Sequence, residues 1–448
     1  MSNNIHLKKG LDIPIKGVAA QKTVKTVVPT TVAVKPTDFK GLLPRLLVKE
    51  GDPVLAGSPV MADKMHPEIL LTSPVSGTVA QIVRGEKRKL LAVVIKADDK
   101  KAAVDFGPQK IASMGADEVR DLLLKSGLWV ALVQRPYGIL ADPALRPKSV
   151  FISAFNTAPL AADYDYTLFS DVQYVQAGVD VLGKLTDGGV HLSINERTAS
   201  STPFHKIENV IMHVVSGKHP AGNVGVQISH IAPIQKGDTV WTVSLPLVAA
   251  IGKLFATGKL DLSRKVAVTG PSVADPAYVA ALPGTPVKEL VEPGDNVRVV
   301  GGNVLTGEIL GTDGYLGFFQ DQLTLLPEGN HKEWFGWAKP FRPKIFSTSA
   351  CYFSWLTPRK KYEMDTNLHG GLRAFVQTKC FEDVTPIEIF PIYLIKACLA
   401  KDIEKMEQFG IYEVLPEDLA LCDYVDPSKN EIQAIIADGI DYMIKEMA

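Results

Sequence analysis

The hydrophobic pattern divides the chain into four stretches, and this division constrains the fold more than any other sequence feature. Residues 24–98 are rich in Val, Thr, Pro and Gly with short alternating apolar runs, which is typical of a small all-β unit. Mixed helix and strand patterns follow, β patterns return over 260–326, and helical patterns close the chain. We therefore predict an α+β multi-domain protein with domains at 1–104, 105–259, 260–326 and 327–448.

The first domain has the order of turns and strands that is typical of a barrel-sandwich fold. A Gly51–Asp52 turn precedes a strand, and a hairpin is predicted near Asp63–Pro67. This order resembles the biotinyl and lipoyl carrier domains, in which Lys64 would be the modified lysine. However, ten residues separate Lys64 from Pro74, and the intervening Met-His-Pro breaks a tight symmetric turn. A carrier protein modified on Lys64 is therefore kept only as an alternative.

Helix and strand signals alternate in the second domain. Ala116–Ser126 begins with acidic residues, shares an apolar face and is followed by Gly127, a pattern that predicts a helix. The same reasoning predicts the remaining elements, namely strands at 148–155, 189–194 and 210–215 and helices at 171–184 and 245–257. Such alternation predicts a Rossmann-like α/β domain with a helix-covered sheet.

The third and fourth domains are predicted from turns and helical periodicity. Gly294–Asp295 and Gly301–Gly302 bracket a strand, as in a compact β-grasp module. Helices near 389–400 and 431–446 indicate a mainly helical C-terminal domain. That domain begins with an aromatic segment that contains Trp334, Phe335, Trp337, Phe341 and Phe346.

Charge and hydropathy exclude two classes of partner contact. Lys and Arg number 48 against 49 Asp and Glu, and a nucleic-acid-binding protein would need a clear positive excess. The N-terminus lacks the apolar core of a signal peptide, and the longest stretch without Asp, Glu, Lys or Arg, 17 residues at 219–235, is broken by Pro and Gly. We expect no nucleic acid partner, no spanning helix and a cytoplasmic location.

Motifs for nucleotide binding fail on their spacing. The closest approach to a Walker loop ends at Gly258–Lys259, but its first position is Lys253 and its last is Leu260. Gly-x-Gly-x-x-Gly follows none of the predicted strands. The glycine-rich stretch 217–225 could cradle an anion or be a plain loop. We therefore expect neither a nucleotide nor a flavin on this chain.

Histidine, cysteine and catalytic patterns are also uninformative. Four histidines lie within 26 residues without the spacing that would let two share a metal, so we predict no metal site. We interpret His219 as a surface or interface residue in a loop fixed by Pro220. No cysteine pair has the spacing of a redox or cluster motif, and we interpret all four as small buried or idle thiols. No catalytic residue is assigned. The residues considered are His205, His213, His219, His230, Cys351, Cys380, Cys398 and Cys422.

One segment has the chemistry of a quinone contact. A planar, amphipathic headgroup needs an aromatic wall and hydrogen-bond donors for its carbonyl oxygens. Trp129, Arg135 and Tyr137 could supply them. A core tryptophan beside an anchoring Arg-Pro turn is the alternative interpretation.

Several short motifs, in their order along the chain, resemble the NqrA family, one of the components of the sodium-translocating NADH:quinone oxidoreductase. The resemblance covers essentially the whole chain and depends on the joint occurrence of the motifs. One departure is Asp426, where relatives often carry a second cysteine. The motifs are His6 to Ile15 with Gly17, Ser126 to Trp129, Arg135-Pro136, His219 to Gly222, Gly252 to Phe255 with Thr257-Gly258, Thr306-Gly307, Tyr315 to Gly317, Phe335 to Trp337 and Asp418 to Cys422.

The resemblance implies a role within a complex. The family's six-subunit assembly moves electrons from NADH to quinone and exports sodium, with FMN, FAD, riboflavin and Fe–S centres in partner subunits. NqrA would be attached to the inner membrane from the cytoplasmic side through membrane subunits. Lys9, Asp12 and His219 are candidates for partner contacts. The family is similar in fold to the NADH-binding flavoprotein of complex I, with an SLBB-like β-grasp domain. A stand-alone NADH- and flavin-binding protein of the complex I or Rnf type is the main alternative.

Overall fold

The computed structural model describes residues 3–331, 333–339, 342–348, 352–375 and 379–447. Phe341 and Cys351, both named in the sequence predictions, lie outside these ranges.

The first hundred residues form nine strands. Two small sheets hold seven of them, in the orders β3-β9-β8-β5 and β4-β6-β7, with antiparallel pairing throughout. Val32, Val60 and Val93 lie fully buried between these strands. The arrangement agrees with the predicted barrel-sandwich. The strands are β1 Asn3–His6, β2 Ala20–Thr26, β3 Thr31–Val34, β4 Pro44–Leu46, β5 Pro53–Val54, β6 Pro59–Asp63, β7 Leu70–Thr72, β8 Gly77–Arg84 and β9 Leu90–Ala97.

The α/β segment contains six more strands and five helices. The chain reverses in left-handed glycines directly after two of the helices, at Gly127 (φ 77°) and Gly258 (φ 72°), as the sequence predicted. The elements are α1 Ala116–Ser126, β10 Val133–Arg135, β11 Ile139–Leu140, β12 Val150–Ser153, α2 Tyr164–Thr167, α3 Val172–Gly183, β13 Val190–Asn195, β14 Ile211–Ser216, α4 Val224–Ile231, β15 Val240–Thr242 and α5 Leu245–Thr257.

A seven-stranded sheet organises this segment, in the order β1-β14-β13-β12-β15-β10-β11. The five strands from β1 to β15 run parallel, and β10 and β11 are antiparallel additions at one edge. On one face, α3 and α5 cross at Gly178 and Gly252, where a Cβ atom on either residue would overlap a backbone carbonyl of the other helix. The glycine in the Gly252 motif is therefore explained by the close approach of two helices.

The third segment builds a six-stranded sheet in the order β19-β18-β20-β16-β17-β2. Val266, Leu310 and Leu323 belong to its core. The described residues after 331 then form five α-helices, and the two helical regions predicted near 389–400 and 431–446 are confirmed. The elements are β16 Arg264–Thr269, β17 Ala277–Ala281, α6 Val287–Leu290, β18 Val297–Gly301, β19 Glu308–Leu310, β20 Gln322–Pro327, α7 Lys379–Glu382, α8 Pro391–Ala400, α9 Ile403–Gln408, α10 Ala420–Val425 and α11 Ile432–Met447.

The first two strands do not belong to the barrel-sandwich that follows them. β1 pairs in parallel with β14 of the α/β sheet, and β2 pairs in parallel with β17 of the six-stranded sheet. Residues 3–26 therefore tie three segments together. The domain boundaries after residues 104, 259 and 326 stay predictions, as does the likeness to the complex I flavoprotein. The predicted α+β fold class, with its barrel-sandwich, α/β and β-grasp parts, is confirmed.

Candidate functional site

Three loops meet at one edge of the seven-stranded sheet. Because β1, β12 and β14 run parallel, the loops that follow them leave the sheet on the same side, where α/β folds usually bind ligands. The Asp12 carboxylate follows β1 and accepts a hydrogen bond from the backbone N–H of His219 at 2.9 Å. The Thr157 hydroxyl follows β12 and lies 3.1 Å from His219 Nδ1. The cluster therefore centres on His219.

His219 is buried, with 3% exposure, so the predicted surface position is wrong. The reason is the loop from β1, which covers it, since the Leu11 N–H donates to the His219 carbonyl at 2.8 Å. Burial lowers the pKa of His219 to about 4, although the Asp12 and Asp418 carboxylates favour the charged form. Lys9 and Asp12 are exposed and stay candidates for partner contacts.

Neutral burial of His219 is expected to make the fold less stable in weak acid. The unfolded chain binds this proton near pH 6.5 and the folded chain only near pH 4, so stability is complete above 6.5 and is lost as the pH falls toward 4. His219→Gln should flatten the pH dependence of the free energy of unfolding by up to about 1.4 kcal/mol per pH unit. Urea unfolding at about pH 5 and about pH 8 measures this.

The hairpin residue His66 supplies the matched control, because His66→Gln makes the same change of side chain at a partly exposed position outside the core. The pKa of His191 is also lowered to about 4, by burial and by His213. His191 therefore keeps part of the pH dependence of the free energy of unfolding in both variants. An equal loss of stability at both pH values in His219→Gln would contradict the titration of this imidazole.

Arg135 lies beside the histidine cluster in a buried ion pair. Its Nη1 and Nη2 donate to Asp418 Oδ2 at 3.0 and 3.1 Å, and both side chains are almost completely buried, with 2% and 0% exposure. Nη2 also reaches Glu417 Oε1 at 3.2 Å. Asp418 accepts a further hydrogen bond from the Leu415 N–H at 3.1 Å. Carboxylates therefore engage both terminal nitrogens of this guanidinium, while its Nε–H is buried without a partner among the described residues.

The ion pair packs against the first turn of α4. A Cβ atom on Gly225 would overlap the Arg135 guanidinium and the Asp418 carboxylate, so this position needs a glycine. Asn223 Nδ2, at the start of the helix, donates to the Glu417 carbonyl at 3.1 Å. The positive end of the helix dipole favours the Asp418 carboxylate there. The glycine-rich stretch 217–225, which could cradle an anion, thus contacts the Asp418 carboxylate of the same chain.

The other two nominated quinone residues lie apart from each other. Trp129 is fully buried, its indole N–H donates to the Ala141 carbonyl at 2.8 Å, and its ring packs edge-on against Trp241 at 5.4 Å. Tyr137 is half-buried and its ring contacts Tyr412 at 6.2 Å. Burial raises the pKa of Tyr137. A quinone contact stays a prediction, and Tyr137 alone of the three reaches the surface.

A second candidate is a cleft of about 190 Å³ between α5 and the start of β16. Pro246, Leu247 and Ala250 of α5 supply an apolar wall. The opposite side carries paired charges, since Lys253 Nζ donates to Asp261 Oδ2 at 2.5 Å. None of these residues was predicted as a binding site from the sequence.

The floor of the cleft is a polar network. Tyr164 Oη donates to Asp321 Oδ2 at 2.8 Å, and Arg264 Nη2 donates to the Phe318 carbonyl at 2.7 Å. Burial raises the pKa of Asp321 and lowers that of Arg264 to about 10. Thr167 Oγ1 is buried without a partner among the described residues. The cleft can therefore offer one free hydroxyl, but its charges already neutralise one another.

Three family models match the chain. The NqrA N-terminal barrel-sandwich hybrid domain matches residues 5–98, the NqrA second alpha/beta domain matches 114–260 and the NQRA C-terminal domain matches 265–311. The NqrA component of the Na(+)-translocating NADH-quinone reductase of Yersinia pestis bv. Antiqua (strain Angola) is 37% identical over 99% of this chain and 100% of that protein. The same component from Rhodopirellula baltica is 36% identical, covering 98% of each chain, and that from Neisseria meningitidis serogroup A is 35% identical, covering 99% and 100%.

The chain belongs to the NqrA family of Na(+)-translocating NADH-quinone reductase subunits. The family is therefore identified correctly from the motifs, and the chain is one component of a multisubunit assembly. Among solved structures, a chain of an NAD+-reducing NiFe-hydrogenase in the air-oxidized state aligns at 13% identity and a TM-score of 0.36, over 75% of this chain and 64% of that one. A TM-score this low supports no functional conclusion.

Sequence reasoning missed one histidine contact in this member of the NqrA family and predicted the state of two thiols. His191 and His213 face each other across β13 and β14, with Nδ1 and Nε2 2.9 Å apart. Burial raises the pKa values of Cys398 and Cys422 to about 12, so these thiols stay protonated. Across the described ranges, no three His, Cys, Asp or Glu side chains converge as metal ligands.

Among the residues that the structure describes, no helix is both long enough and apolar enough to cross a membrane.

Proposed function

We propose that this chain works as the NqrA component of a Na+-translocating NADH-quinone reductase, which passes electrons from NADH to quinone and exports sodium. The observation that carries the proposal is the 37% identity over 99% of the chain to a relative of that name. In this proposal the partners are the other subunits of a six-subunit complex, including membrane subunits. They hold the chain at the cytoplasmic side of the inner membrane.

We further propose that FMN, FAD, riboflavin and the Fe–S centres belong to partner subunits and that this chain binds none of them. Cys398 and Cys422 support this, because a protonated, buried thiol is not the form that binds a metal. Arg135 supports it as well, since its charge is neutralised by Asp418 and both of its terminal nitrogens are engaged by carboxylates. Trp129 and Arg135 are not carried into the proposal as quinone ligands, whereas Tyr137 is.

Purification of a tagged chain from its own cells in mild detergent tests the proposal. We expect membrane subunits and sodium-stimulated NADH:quinone reduction to co-purify with it, and the chain separated from its partners to be colourless. A lone yellow chain that oxidises NADH would instead establish the stand-alone flavoprotein of the complex I or Rnf type. A biotinyl or lipoyl mass on Lys64, which is exposed at the start of the hairpin between β6 and β7, would establish the carrier protein.

A further inference from the structure

Residues 331–375 concentrate aromatic and cationic side chains. This stretch holds ten of the 34 aromatic residues of the chain and eight Lys and Arg against three Asp and Glu. The whole chain has a net charge of −1, so the remainder is acidic and the stretch is locally basic. None of the described residues of this stretch lines the His219 cluster or the cleft beside α5.

Several of its apolar side chains are exposed. Trp334 is 83% exposed, Trp355 58% and Leu356 60%, whereas a folded monomer usually keeps such side chains covered. Two ring pairs, Trp334 with Phe335 and Phe353 with Trp355, have centroids 5.3 and 6.5 Å apart. We call the set formed by Trp334, Phe335, Phe353, Trp355 and Leu356 the aromatic face.

The aromatic face is held together by Arg342. This guanidinium pairs with Glu333, next to the first ring pair, and lies 5.1 Å from the ring of Tyr352, next to the second. Arg359 and Lys361 follow directly along the chain, are exposed and form no ion pair with any described residue. Exposed rings and unpaired cations therefore lie close together along the chain.

We propose that the aromatic face and its cations insert into the headgroup layer of an anionic bilayer, so that the chain touches lipid directly as well as its partner subunits. Tryptophan rings concentrate at the level of lipid headgroups, and each Lys or Arg near an anionic surface adds attraction. Aliphatic side chains in the same stretch favour hydrocarbon over an acidic peptide or bases, since Leu368 and Leu372 are 60% and 75% exposed. This inference rests on the proposed function, which places the chain beside a membrane.

Co-sedimentation of the purified full-length chain with vesicles tests the proposal without any partner present. We expect binding to phosphatidylglycerol-rich vesicles and much weaker binding to phosphatidylcholine alone. Arg359→Gln with Lys361→Gln should weaken the partition roughly thirty-fold, at about 1 kcal/mol for each charge. Brominated lipid should quench part of the tryptophan fluorescence, and Trp334→Ala with Trp355→Ala should reduce that quenching, because Trp129 and Trp241 are buried.

Lys87→Gln with Lys89→Gln is the matched control, because it removes two exposed lysines from the turn between β8 and β9. Partition weakened equally by this control, or absence of binding to anionic vesicles, would overturn the proposal. Release of the Trp334→Ala and Trp355→Ala variant from the complex, with no vesicle binding by the natural chain, would assign the face to a protein partner instead. Co-purification of the natural chain with membrane subunits is scored separately and decides the proposed function.

Discussion

Asp418→Asn is expected to lower the free energy of unfolding by about 3–5 kcal/mol. The carboxylate neutralises Arg135 where both side chains are nearly inaccessible to water, with 0% and 2% exposure. Removing its charge leaves the buried guanidinium with only the partly exposed Glu417 carboxylate as a counter-ion. Chemical denaturation followed by circular dichroism measures the loss.

Two variants separate charge burial from general disruption. Adding Arg135→Met to Asp418→Asn also removes the buried positive charge. The introduced asparagine can still accept a hydrogen bond from the Leu415 N–H, so most of the stability should return. Lys22→Ala breaks an exposed pair with Asp275 and should cost less than about 1 kcal/mol. If Asp418→Asn lowered the free energy of unfolding as little as Lys22→Ala does, the predicted contribution of the buried Arg135–Asp418 ion pair would be wrong.

Trp129→Ala is also expected to lower the free energy of unfolding by about 3–5 kcal/mol. The ring is fully buried against Trp241, and the indole N–H satisfies the Ala141 carbonyl at 2.8 Å. The truncation therefore opens a cavity and leaves a carbonyl without its donor. Trp129→Phe should cost less, because it keeps most of the ring and loses mainly the hydrogen bond. Urea unfolding of the three proteins orders them.

Trp334→Ala is the control for this series, since that ring is exposed and its loss should change stability by less than about 0.5 kcal/mol. The same variants test the predicted quinone contact. If Trp129 formed a wall for the headgroup, Trp129→Ala would weaken quinone reduction by the complex while the chain kept its stability. We expect the opposite order of effects.

The sequence alone determined which elements form and where several of them end. The helices at Ala116–Ser126 and Leu245–Thr257 were predicted to the residue, because apolar periodicity and a following glycine are local signals. The character of each segment and the family followed from the order of short motifs.

The tertiary structure alone decided which distant groups meet. β1 and β2 were assigned to the segment they precede, yet they pair with strands that lie two hundred or more positions later in the chain. Arg135 finds Asp418 across 283 residues, and Asp12 covers His219 across 207. Periodicity and capping depend on neighbours within one or two turns, whereas the partner of a strand edge or a buried charge depends on how whole segments pack. A single sequence carries no local mark of that choice, which is why Asp418 was not predicted as the partner of Arg135 and His219 was not predicted to be buried.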